Sequence, residues 1–568
     1  MSRTNTKAYM SMVDITASKD AEYASSTSQT FSELSKLSEG VTSEDYATLE
    51  LNQFVLDDSK VISNPTAGFW SSATSNEDCT FDSNPTLNIA FDSVHSSSGI
   101  TLTFTENYCE VKITWLSTGG TYLYAETFKP DEQEYFCKHQ QLNYGGLKIE
   151  FIRTIWPKTF VKLSKVLYGA EVLWSDDDIV SATVNEEVDA TGATLPINTA
   201  TLEVNDEDSQ YDPENSDGFW KSIQKTQPIN IYETVDGKEI PIGKYFVDTF
   251  SFQDNKVTFE LISHVGLLDN YDFIDGGVYQ NTDAETIIKA IFASADTDEY
   301  TIADELIDRT VSGYLANMTC REALQQVCFA IGAIANTSRD GKINVYTPNR
   351  AIVHTIDTDR KFDGKTNVTL DEYVSGLTIK YNTYAEDAES KSIYEGTISA
   401  GTTRILLSDP VKPSSVTTTS GTLANVSTNY LDITSDAETE VTITGIGYQS
   451  SEQAYTLEDS IEAGQIRTVK EVSGCTMYAP SYIKSVARYL LDYYALRKTL
   501  EFEYILESEK AGEWEQVKNV SGDVSATFLE SQSIDLVGGF IATAKCRGYT
   551  VVNTSAKYSG EIYAGETV

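Results

Sequence analysis

The feature that most constrains the fold is a two-residue alternation of apolar and polar side chains, interrupted by short turn signals. Val257, Phe259 and Leu261 alternate with polar residues, which is the pattern of a strand with one buried face. Upstream, Asp236 and Gly237 form a two-residue hairpin signal, because both positions of that turn require positive φ. The repetition of this pattern predicts antiparallel sheets joined by tight turns.

Composition agrees with a β-rich chain and restricts its partners. The 568 residues are 40% apolar and 22% charged, and a chain of this length suggests roughly three to five domains. Tyr is abundant and Pro is scarce at 12 residues, which favours strands with one solvent-facing side. The net charge of -43 argues against a protein that grips the DNA backbone or docks on an anionic membrane, because both need clustered cations.

The N-terminus and the cysteines predict a chain made in a reducing compartment. Met1–Asp20 lacks a basic segment followed by an apolar one, and no run of 18 apolar residues occurs, so we expect neither a secretory signal nor stable membrane insertion. Seven cysteines are scattered without a C-x-x-C pair, which indicates reduced thiols. Cys328 and Cys546 lie at apolar positions and are predicted core residues. A disulfide remains an open alternative within one segment, which contains Cys79, Cys109 and Cys137.

The changes of periodicity predict a multi-domain protein that is mainly β, with one α+β module. The expected organisation is an N-terminal arm or lead-in strand at 1–60, a β-sandwich at 61–169, a first barrel-like β domain at 170–275, an α+β module at 276–350, a second β domain at 351–550 with one helix at 480–498, and a polar tail at 551–568. Within the sandwich, the spacing predicts separate strands at Thr86–Phe91 and Gly99–Phe104. The Ser/Thr-rich stretch Pro413–Ser427 is predicted to be an exposed insertion.

Three helices are predicted from capping and spacing signals. Thr282 with Glu285, and Thr319 with Glu322, have the spacing of a capping box, and each precedes apolar residues on one helical face. A third helix is expected to begin near Pro480, because proline is tolerated in the first turn. These helices are predicted to be packing elements.

No catalytic, cofactor-binding or metal-binding residue is assigned from the sequence. Four histidines are far apart and lie outside any metal-binding motif, so we expect surface or core roles for them: His95, His139, His264 and His354. Nucleophile-elbow, P-loop and dinucleotide-binding glycine motifs are absent from the sequence. An enzyme that uses ATP or nicotinamide is therefore disfavoured.

An acidic stretch at 171–220 contains fourteen acids and no Lys or Arg. Asp206, Asp208 and Asp212 resemble a fragment of a calcium loop, but the Gly and Glu that such a loop requires are not in register. We expect a solvated acidic face or a pore lining, with structural calcium as the alternative. Three tryptophans in the predicted sandwich suggest either its core, which is favoured, or a platform that stacks on sugars: Trp70, Trp115 and Trp156.

Several framework stretches resemble the tail-tip, or baseplate, hub proteins of phages and prophages of Gram-positive bacteria. The stretches are Ile179–Leu202, Gln227–Asp248, His264–Asp269, Thr319–Tyr346 and Gly538–Ile541. The segment at 61–169 also looks like the discoidin-like insertion of some of these proteins. The resemblance implies a homotrimer in which each chain contributes two related β domains to a ring of pseudo-sixfold symmetry.

That resemblance further implies partners and a location. The ring would join the hexameric tail tube to the distal tail or baseplate proteins, a tail fibre or spike and the tape measure protein, in a virion assembled in the bacterial cytoplasm. DNA would pass through without specific binding, because acidic walls repel phosphates. Some members carry a downstream peptidase or muramidase domain, which is not present before Val568, so lytic activity is not expected. Neither catalysis nor a cofactor is expected.

Two other readings remain open. The segment 61–169 would be a module that binds host cell-surface glycan, which makes the chain an adhesin of the tail tip. Alternatively, the chain would degrade cell walls, because the paired carboxylates of a glycosidase come together only in the fold and leave no spacing signal.

Overall fold

The computed structural model describes residues 4–38, 68–105, 107–207, 209–215, 220, 223–461, 464, 466–519 and 522–551. The predicted N-terminal arm beyond residue 38 and the predicted tail beyond residue 551 lie outside the described residues. Strands make up 54% and helices 12% of the protein. The expectation of a mainly β, multi-domain fold is confirmed.

The strands and helices are numbered separately in chain order. The strands up to the acidic stretch are β1 (Thr4–Val13), β2 (Glu22–Ala24), β3 (Phe69–Trp70), β4 (Thr86–Phe104), β5 (Cys109–Leu116), β6 (Tyr122–Phe128), β7 (Glu134–Thr154), β8 (Lys162–Leu167) and β9 (Gly169–Trp174). The next are β10 (Ile179–Glu187), β11 (Thr199–Asn205), β12 (Pro228–Val235), β13 (Lys238–Gln253), β14 (Lys256–Ser263), β15 (Asp272–Phe273), β16 (Val278–Asp283), β17 (Tyr300–Ile302), β18 (Thr310–Tyr314), β19 (Met318–Thr319), β20 (Ile334–Thr337) and β21 (Ile343–Tyr346).

The remaining strands are β22 (Ile352–Ile356), β23 (Asn367–Leu370), β24 (Gly376–Glu386), β25 (Lys391–Ile398), β26 (Gly401–Leu406), β27 (Thr417–Thr418), β28 (Thr422–Val426), β29 (Tyr430–Ser435), β30 (Thr439–Gly445), β31 (Tyr448–Glu458), β32 (Val469–Cys475), β33 (Met477–Tyr478), β34 (Lys498–Ile505), β35 (Trp514–Lys518), β36 (Val524–Asp535) and β37 (Ile541–Val551). The α-helices are α1 (Ile15–Asp20), α2 (His264–Leu267), α3 (Ala284–Ser294), α4 (Cys320–Ile331) and α5 (Ile483–Tyr494).

The chain divides into two compact units. Unit 1 comprises Met1–Ala8, Ser175–Asn205 and Asn230–Val568, and unit 2 comprises Tyr9–Trp174 and Asp206–Ile229. Unit 1 therefore contains the regions predicted as the α+β module and the second β domain, and most of the first β domain, of which residues 170–174 and 206–229 belong to unit 2. Unit 2 contains the region predicted as a sandwich.

The sheet of unit 1 begins with the hairpins that the sequence predicts. Strands β12, β13, β14, β11 and β10 are neighbours in that order. The turn between β12 and β13 has positive φ at Asp236 and Gly237, and the turn between β13 and β14 has it at Asp254 and Asn255. The alternating residues of β14 are buried, so the predicted strand and the predicted turn at Asp236 and Gly237 are confirmed.

The same sheet continues into the C-terminal strands. Strand β10 pairs antiparallel with β36, where Val184 lies opposite Ile534. The order then runs β36, β37, β34 and β23. One face of β37, together with the residue before it, is buried: Phe540, Ala542, Ala544 and Cys546. The two predicted β domains thus share one continuous sheet.

The α+β module packs α3 and α4 around one apolar core. The capping box of Thr319 and Glu322 is confirmed, and Gly332 ends α4 in the left-handed conformation. The box predicted at Thr282 was wrong by one residue: Asp283 caps α3, accepting a hydrogen bond from the backbone N–H of Thr286. The reason is that β16 keeps pairing with β18 through Asp283, which delays the start of the helix.

A small β unit is inserted between β24 and β31. It contains two three-stranded sheets, β25-β30-β27 and β26-β29-β28. It has an apolar core of its own, with Leu431, Ile433 and Ile443 fully buried. The sequence predicted only an exposed stretch at 413–427, so the extent of this insertion was missed. Beyond it, the third predicted helix is α5, which begins after Pro480 at Ile483 and buries Val486 and Leu490.

Unit 2 contains a seven-stranded sheet in the order β3-β8-β4-β7-β5-β6, with β2 paired to β4. The two strands predicted between 86 and 104 are one long strand, whose register shifts between Ala90 and Gly99. All seven cysteines are free thiols, which excludes the alternative disulfide. Cys328 and Cys546 are buried as predicted. Within the described ranges, helices are too short or too polar to cross a bilayer.

Candidate functional site

A buried polar cluster of unit 1 is built on an ion pair between Glu186 and Arg339. Glu186 lies on β10, Arg339 lies in the turn between β20 and β21, and each side chain is only 5% exposed. Arg339 Nε donates to Glu186 Oε1 at 2.8 Å, and Nη2 donates to Oε2 at 3.3 Å. The planar guanidinium matches the carboxylate with two parallel hydrogen bonds.

Groups from the C-terminal half complete this cluster. Gln532 Nε2 donates to Glu186 Oε2 at 2.7 Å, and Arg339 Nη2 also donates to the Glu509 carbonyl at 2.7 Å. Burial opposes ionisation of Glu186, but the Arg339 charge and these hydrogen bonds outweigh it and hold its pKa below the usual value. The pair is therefore charged at neutral pH and links β10, the α+β module and the β36 region.

Further polar contacts join the same segments. His264 Nδ1 lies 3.2 Å from the Gly341 carbonyl. Arg321 donates from Nε to Asp269 at 2.8 Å and from Nη1 to the Leu195 carbonyl at 2.9 Å. The stretches Ile179–Leu202, His264–Asp269 and Thr319–Tyr346 are thus held together by side chains that belong to them.

A cavity of about 320 Å³ lies beside this cluster. Its lining includes Thr301, Asn336, Asn344, Lys510 and Glu513, and contains neither Cys nor His. This volume is at the lower end of small-molecule sites. The cavity carries amide and hydroxyl groups that can bind a polar ligand, but no nucleophile paired with a histidine base.

A second buried carboxylate of unit 1 is Glu233 on β12. The Thr6 hydroxyl donates to its Oε2 at 2.8 Å, while its buried Oε1 accepts no hydrogen bond. Burial, which outweighs the Thr6 hydrogen bond and is reinforced by the charge of Asp176, raises the pKa of Glu233 to about 7. A proton rather than a cation neutralises this group in mildly acidic solution.

The four histidines have separate surroundings, and the structure does not assemble them into one site. In unit 2, His95 is buried between two carboxylates, with Nδ1 3.0 Å from Asp14 Oδ2 and Nε2 2.8 Å from Asp20 Oδ2. The ring can donate to both only when it is doubly protonated. These contacts tie α1 to β4 and leave both nitrogens occupied.

The other three histidines also contact nearby groups. His139 stacks on Tyr124 at a centroid distance of 3.9 Å. His264 is buried, and burial lowers its pKa despite the Gly341 carbonyl and Glu299. His354 is half-buried on β22. The surroundings of His95, His139 and His264 are thus those of ordinary surface or core residues.

The calcium-like acids of unit 2 are used by the loop itself. Both carboxylate oxygens of Asp206 accept backbone N–H groups, from Gln210 at 2.7 Å and Tyr211 at 2.8 Å. Asp212 accepts the backbone N–H of Glu214, and Asp208 lies outside the described residues. The two described acids shape a turn.

The tryptophans divide between the two readings of the sequence. Trp70 and Trp115 are buried, as expected of core residues. Trp156 is 57% exposed, contrary to that expectation. Its carbonyl accepts hydrogen bonds from the hydroxyls of Thr154 at 2.7 Å and Thr159 at 2.8 Å. The backbone that presents the exposed indole is therefore held firmly.

Comparison with solved structures finds phage tail proteins. The tail protein from Neisseria meningitidis MC58 aligns at 10% identity over 65% of this chain and 92% of that chain, with a TM-score of 0.39. The 43 kDa tail protein of prophage MuSo2 from Shewanella oneidensis aligns at 7% identity over 66% and 93%, with a TM-score of 0.38. Prophage tail protein gp18 from Listeria monocytogenes EGD-e aligns at 9% identity over 66% and 91%, with a TM-score of 0.36.

No protein-family model matches the chain, and no curated protein matches it. Similarity at these identities and TM-scores does not establish a shared function. The functional conclusion therefore depends on the residues and contacts of this chain.

Replacing Arg339 tests the buried cluster. In Arg339→Ala, Glu186 keeps its burial and loses its counter-charge, so we expect unfolding of unit 1 to become easier by about 3–5 kcal/mol. Urea denaturation followed by tryptophan fluorescence measures this change. The matched control is Arg404→Ala, which removes a bidentate pair with Asp432 whose arginine is half-exposed and should have a much smaller effect. Equal effects of the two variants would contradict a special role for the buried pair.

Glu233 predicts a pH dependence of stability. Its pKa is about 7 in the folded chain against 4.5 as the reference value, so the folded state binds more protons between these values and stability falls as pH rises through them. We expect Glu233→Gln to raise the free energy of unfolding, relative to the parent protein, by about 2–3 kcal/mol at pH 8 and by almost nothing at pH 4.5. Urea midpoints across pH measure it. Glu239→Gln, an exposed control on β13, should keep the pH dependence of stability of the parent protein. If Glu233→Gln also kept that pH dependence, the raised pKa assigned to Glu233 would be refuted.

Proposed function

We propose that this protein is a structural hub of a phage tail tip. The observation that carries the proposal is that three of the five stretches resembling hub proteins are joined by the pair of Glu186 and Arg339 and by the contacts of His264 and Arg321. Glu186 belongs to the first stretch and Arg339 to the fourth, and Gln532 precedes the last. Because these stretches contact one another, they support a similarity to hub proteins in the folded framework and not only in isolated sequence motifs.

The architecture of unit 1 suits a part that bears load without turnover. Its two β regions form one sheet through β10 and β36, and the α+β module is tied to that sheet by a charged pair. A continuous hydrogen-bonded sheet resists shear between the regions that it joins. The proposed role is thus mechanical, and works by shape and by burial at subunit interfaces.

We propose a homotrimer as the working assembly. Support comes from β23, which is the last strand at one end of the sheet. All four of its residues are exposed, including Val368 and Leu370, and the latter is 71% exposed. Among the described residues no strand flanks the outer side of β23, and a strand edge with exposed apolar side chains is a ready template for pairing with another chain. A neighbouring copy of this chain is the partner proposed for that edge.

In the proposed ring, the central channel conducts DNA and its wall is acidic. The chain has 85 acidic and 42 basic residues, and a surplus of carboxylates keeps phosphates from being trapped by ion pairs. The ring would join the tail tube to the distal tail or baseplate proteins, the fibre or spike and the tape measure protein. A net positive channel wall in the assembled ring would contradict this part of the proposal.

The oligomeric state tests the hub proposal. We expect a native mass three times the 62.7 kDa of one chain and threefold symmetry in low-resolution images. Leu370→Asp places a charge on the exposed strand edge, so it should shift the protein towards folded monomers. Native mass spectrometry across concentration measures the shift.

The control for that variant is Ile466→Asp, which changes an exposed apolar residue that precedes β32. It should leave the trimer intact. A parent protein that stays monomeric at every concentration, or that forms only twofold dimers, would overturn the trimer. Equal loss of trimer in both variants would refute the role of β23.

Trp156 favours a second candidate function, in which unit 2 binds host cell-surface glycan. An exposed indole on a fixed backbone offers an apolar face at little entropic cost. With the full-length protein on isolated host cell walls, we expect Trp156→Ala to weaken retention by about tenfold, or 1.4 kcal/mol. Tyr271→Ala, an exposed aromatic residue of unit 1, is the control. Equal retention of parent and Trp156→Ala would exclude this site.

A further inference from the structure

Three potential metal ligands lie on one side of the strand pair β22 and β35. These strands are parallel, and His354 on β22 lies in register with Glu515 on β35. Glu513 lies in the turn that leads into β35, two residues before Glu515. The chain therefore brings the imidazole of His354 together with two carboxylates that lie 159 and 161 residues further along the sequence.

The donor atoms of this group are close to one another. His354 Nε2 lies 3.6 Å from Glu513 Oε2. One atom from each residue can be chosen so that all three lie within 4.8 Å of one another. Ligands at about 2.1 Å from a tetrahedral Zn²⁺ are about 3.4 Å apart. Small side-chain rotations would bring the three donors to that spacing.

The burial of Glu515 points to a missing charge. Its side chain is fully buried, and neither carboxylate oxygen accepts a hydrogen bond. Glu513 Oε2 is also buried without a hydrogen-bond partner. A buried polar group without a partner is costly, and buried charges are normally paired or bound to metal.

Arg360, the protein cation whose charge acts on Glu515, is engaged elsewhere, while Lys510 and Arg339 act on Glu513. Arg360 donates from Nη2 to Glu509 at 2.7 Å and to the Ile505 carbonyl at 2.8 Å. Glu509 adds negative charge beside Glu515. The local surroundings of Glu515 therefore contain an excess of carboxylates, and a bound cation would balance it.

We propose that His354, Glu513 and Glu515 bind one divalent transition-metal ion, for which Zn²⁺ is the test ion. Imidazole nitrogen together with carboxylate oxygen is a donor set for Zn²⁺ and related ions. Ca²⁺ and Mg²⁺ prefer six or more oxygen ligands, and an imidazole does not supply one. The donor atoms of the site thus favour Zn²⁺ and related ions over Ca²⁺ and Mg²⁺.

The fourth position of a tetrahedral ion would face outwards. The side chains of His354 and Glu513 are 30% and 28% exposed, whereas Glu515 closes the inner side. A water molecule can complete the coordination there. The ion joins β22 to β35, and β35 is the strand partner of β22 in the described part of the sheet. Its role is to fasten this peripheral strand.

Metal binding by the full-length protein tests the proposal. Protein without a polyhistidine tag is stripped with a chelator, dialysed against Zn²⁺ and analysed for metal content and melting temperature. We expect one Zn²⁺ per chain and a higher melting temperature, with neither effect from Ca²⁺ or Mg²⁺. Six of the seven cysteines are buried, so thiols should contribute little background.

Two variants and one control locate the ion. His354→Ala and Glu515→Gln should each weaken Zn²⁺ binding by about 100-fold or more, since loss of an outer-shell partner alone costs about 10–100-fold. Glu515→Gln keeps the side-chain volume and removes the buried charge, so the metal-free variant should fold at least as stably as the parent. Glu501→Gln, on an exposed position of β34, should bind as the parent does.

Three results would overturn the proposal. They are a parent protein that binds less than one Zn²⁺ per chain at saturation, Zn²⁺ binding that is equal in parent and Glu515→Gln, and equal losses in Glu501→Gln and Glu515→Gln. The first would leave a proton on Glu515 as its neutralising partner. None of these outcomes depends on whether the protein forms a trimeric hub.

Discussion

The buried pair of Glu186 and Arg339 is the constraint on which unit 1 depends. A slip of one residue in the pairing of β10 would turn Glu186 to the other face of the sheet and strand Arg339 in the interior. Such an error is costly where solvent is excluded. The pair therefore selects the register at which β10 meets β36, and with it the continuity of the sheet.

A sheet that is continuous inside one chain still ends at its outer strands. On the C-terminal side this end is β23, where exposed Val368 and Leu370 accompany a backbone edge that no other strand of the described residues pairs with. Natural proteins usually protect such edges with lysines, prolines or bulges, and Asn367–Leu370 contains no Lys or Pro. In the proposed ring, pairing with the next copy would cover this edge.

Local signals in the sequence predicted local structure correctly, but the sequence did not predict contacts between residues that are far apart in the chain. The turn at Asp236 and Gly237 and the box at Thr319 depend on residues within four positions, so sequence was sufficient. The α3 cap moved to Asp283 because strand pairing with a distant segment extends β16. The ion pair joins residues 153 apart, and no periodicity marks which buried acid meets which arginine.

The candidate sites show the same limit. Trp156 has the composition signal of a core residue, yet it is exposed because it follows the end of β7 in a turn held by hydroxyl groups. His354 was one of four isolated histidines, and only the parallel pairing of β22 with β35 places it beside two carboxylates. Parallel pairing has no short-range signature, because its strands are joined by long connections.

An acidic excess shapes the interior as well as the surface. The chain has about twice as many acidic as basic residues, so there are too few basic side chains to pair with every carboxylate that becomes buried. Glu186 has Arg339, and its pKa stays low. Glu233 lacks a cation, and burial raises its pKa to about 7, so a proton serves instead. Glu515 is equally buried but lies beside an imidazole and a second carboxylate, and this difference makes a metal ion the proposed partner there.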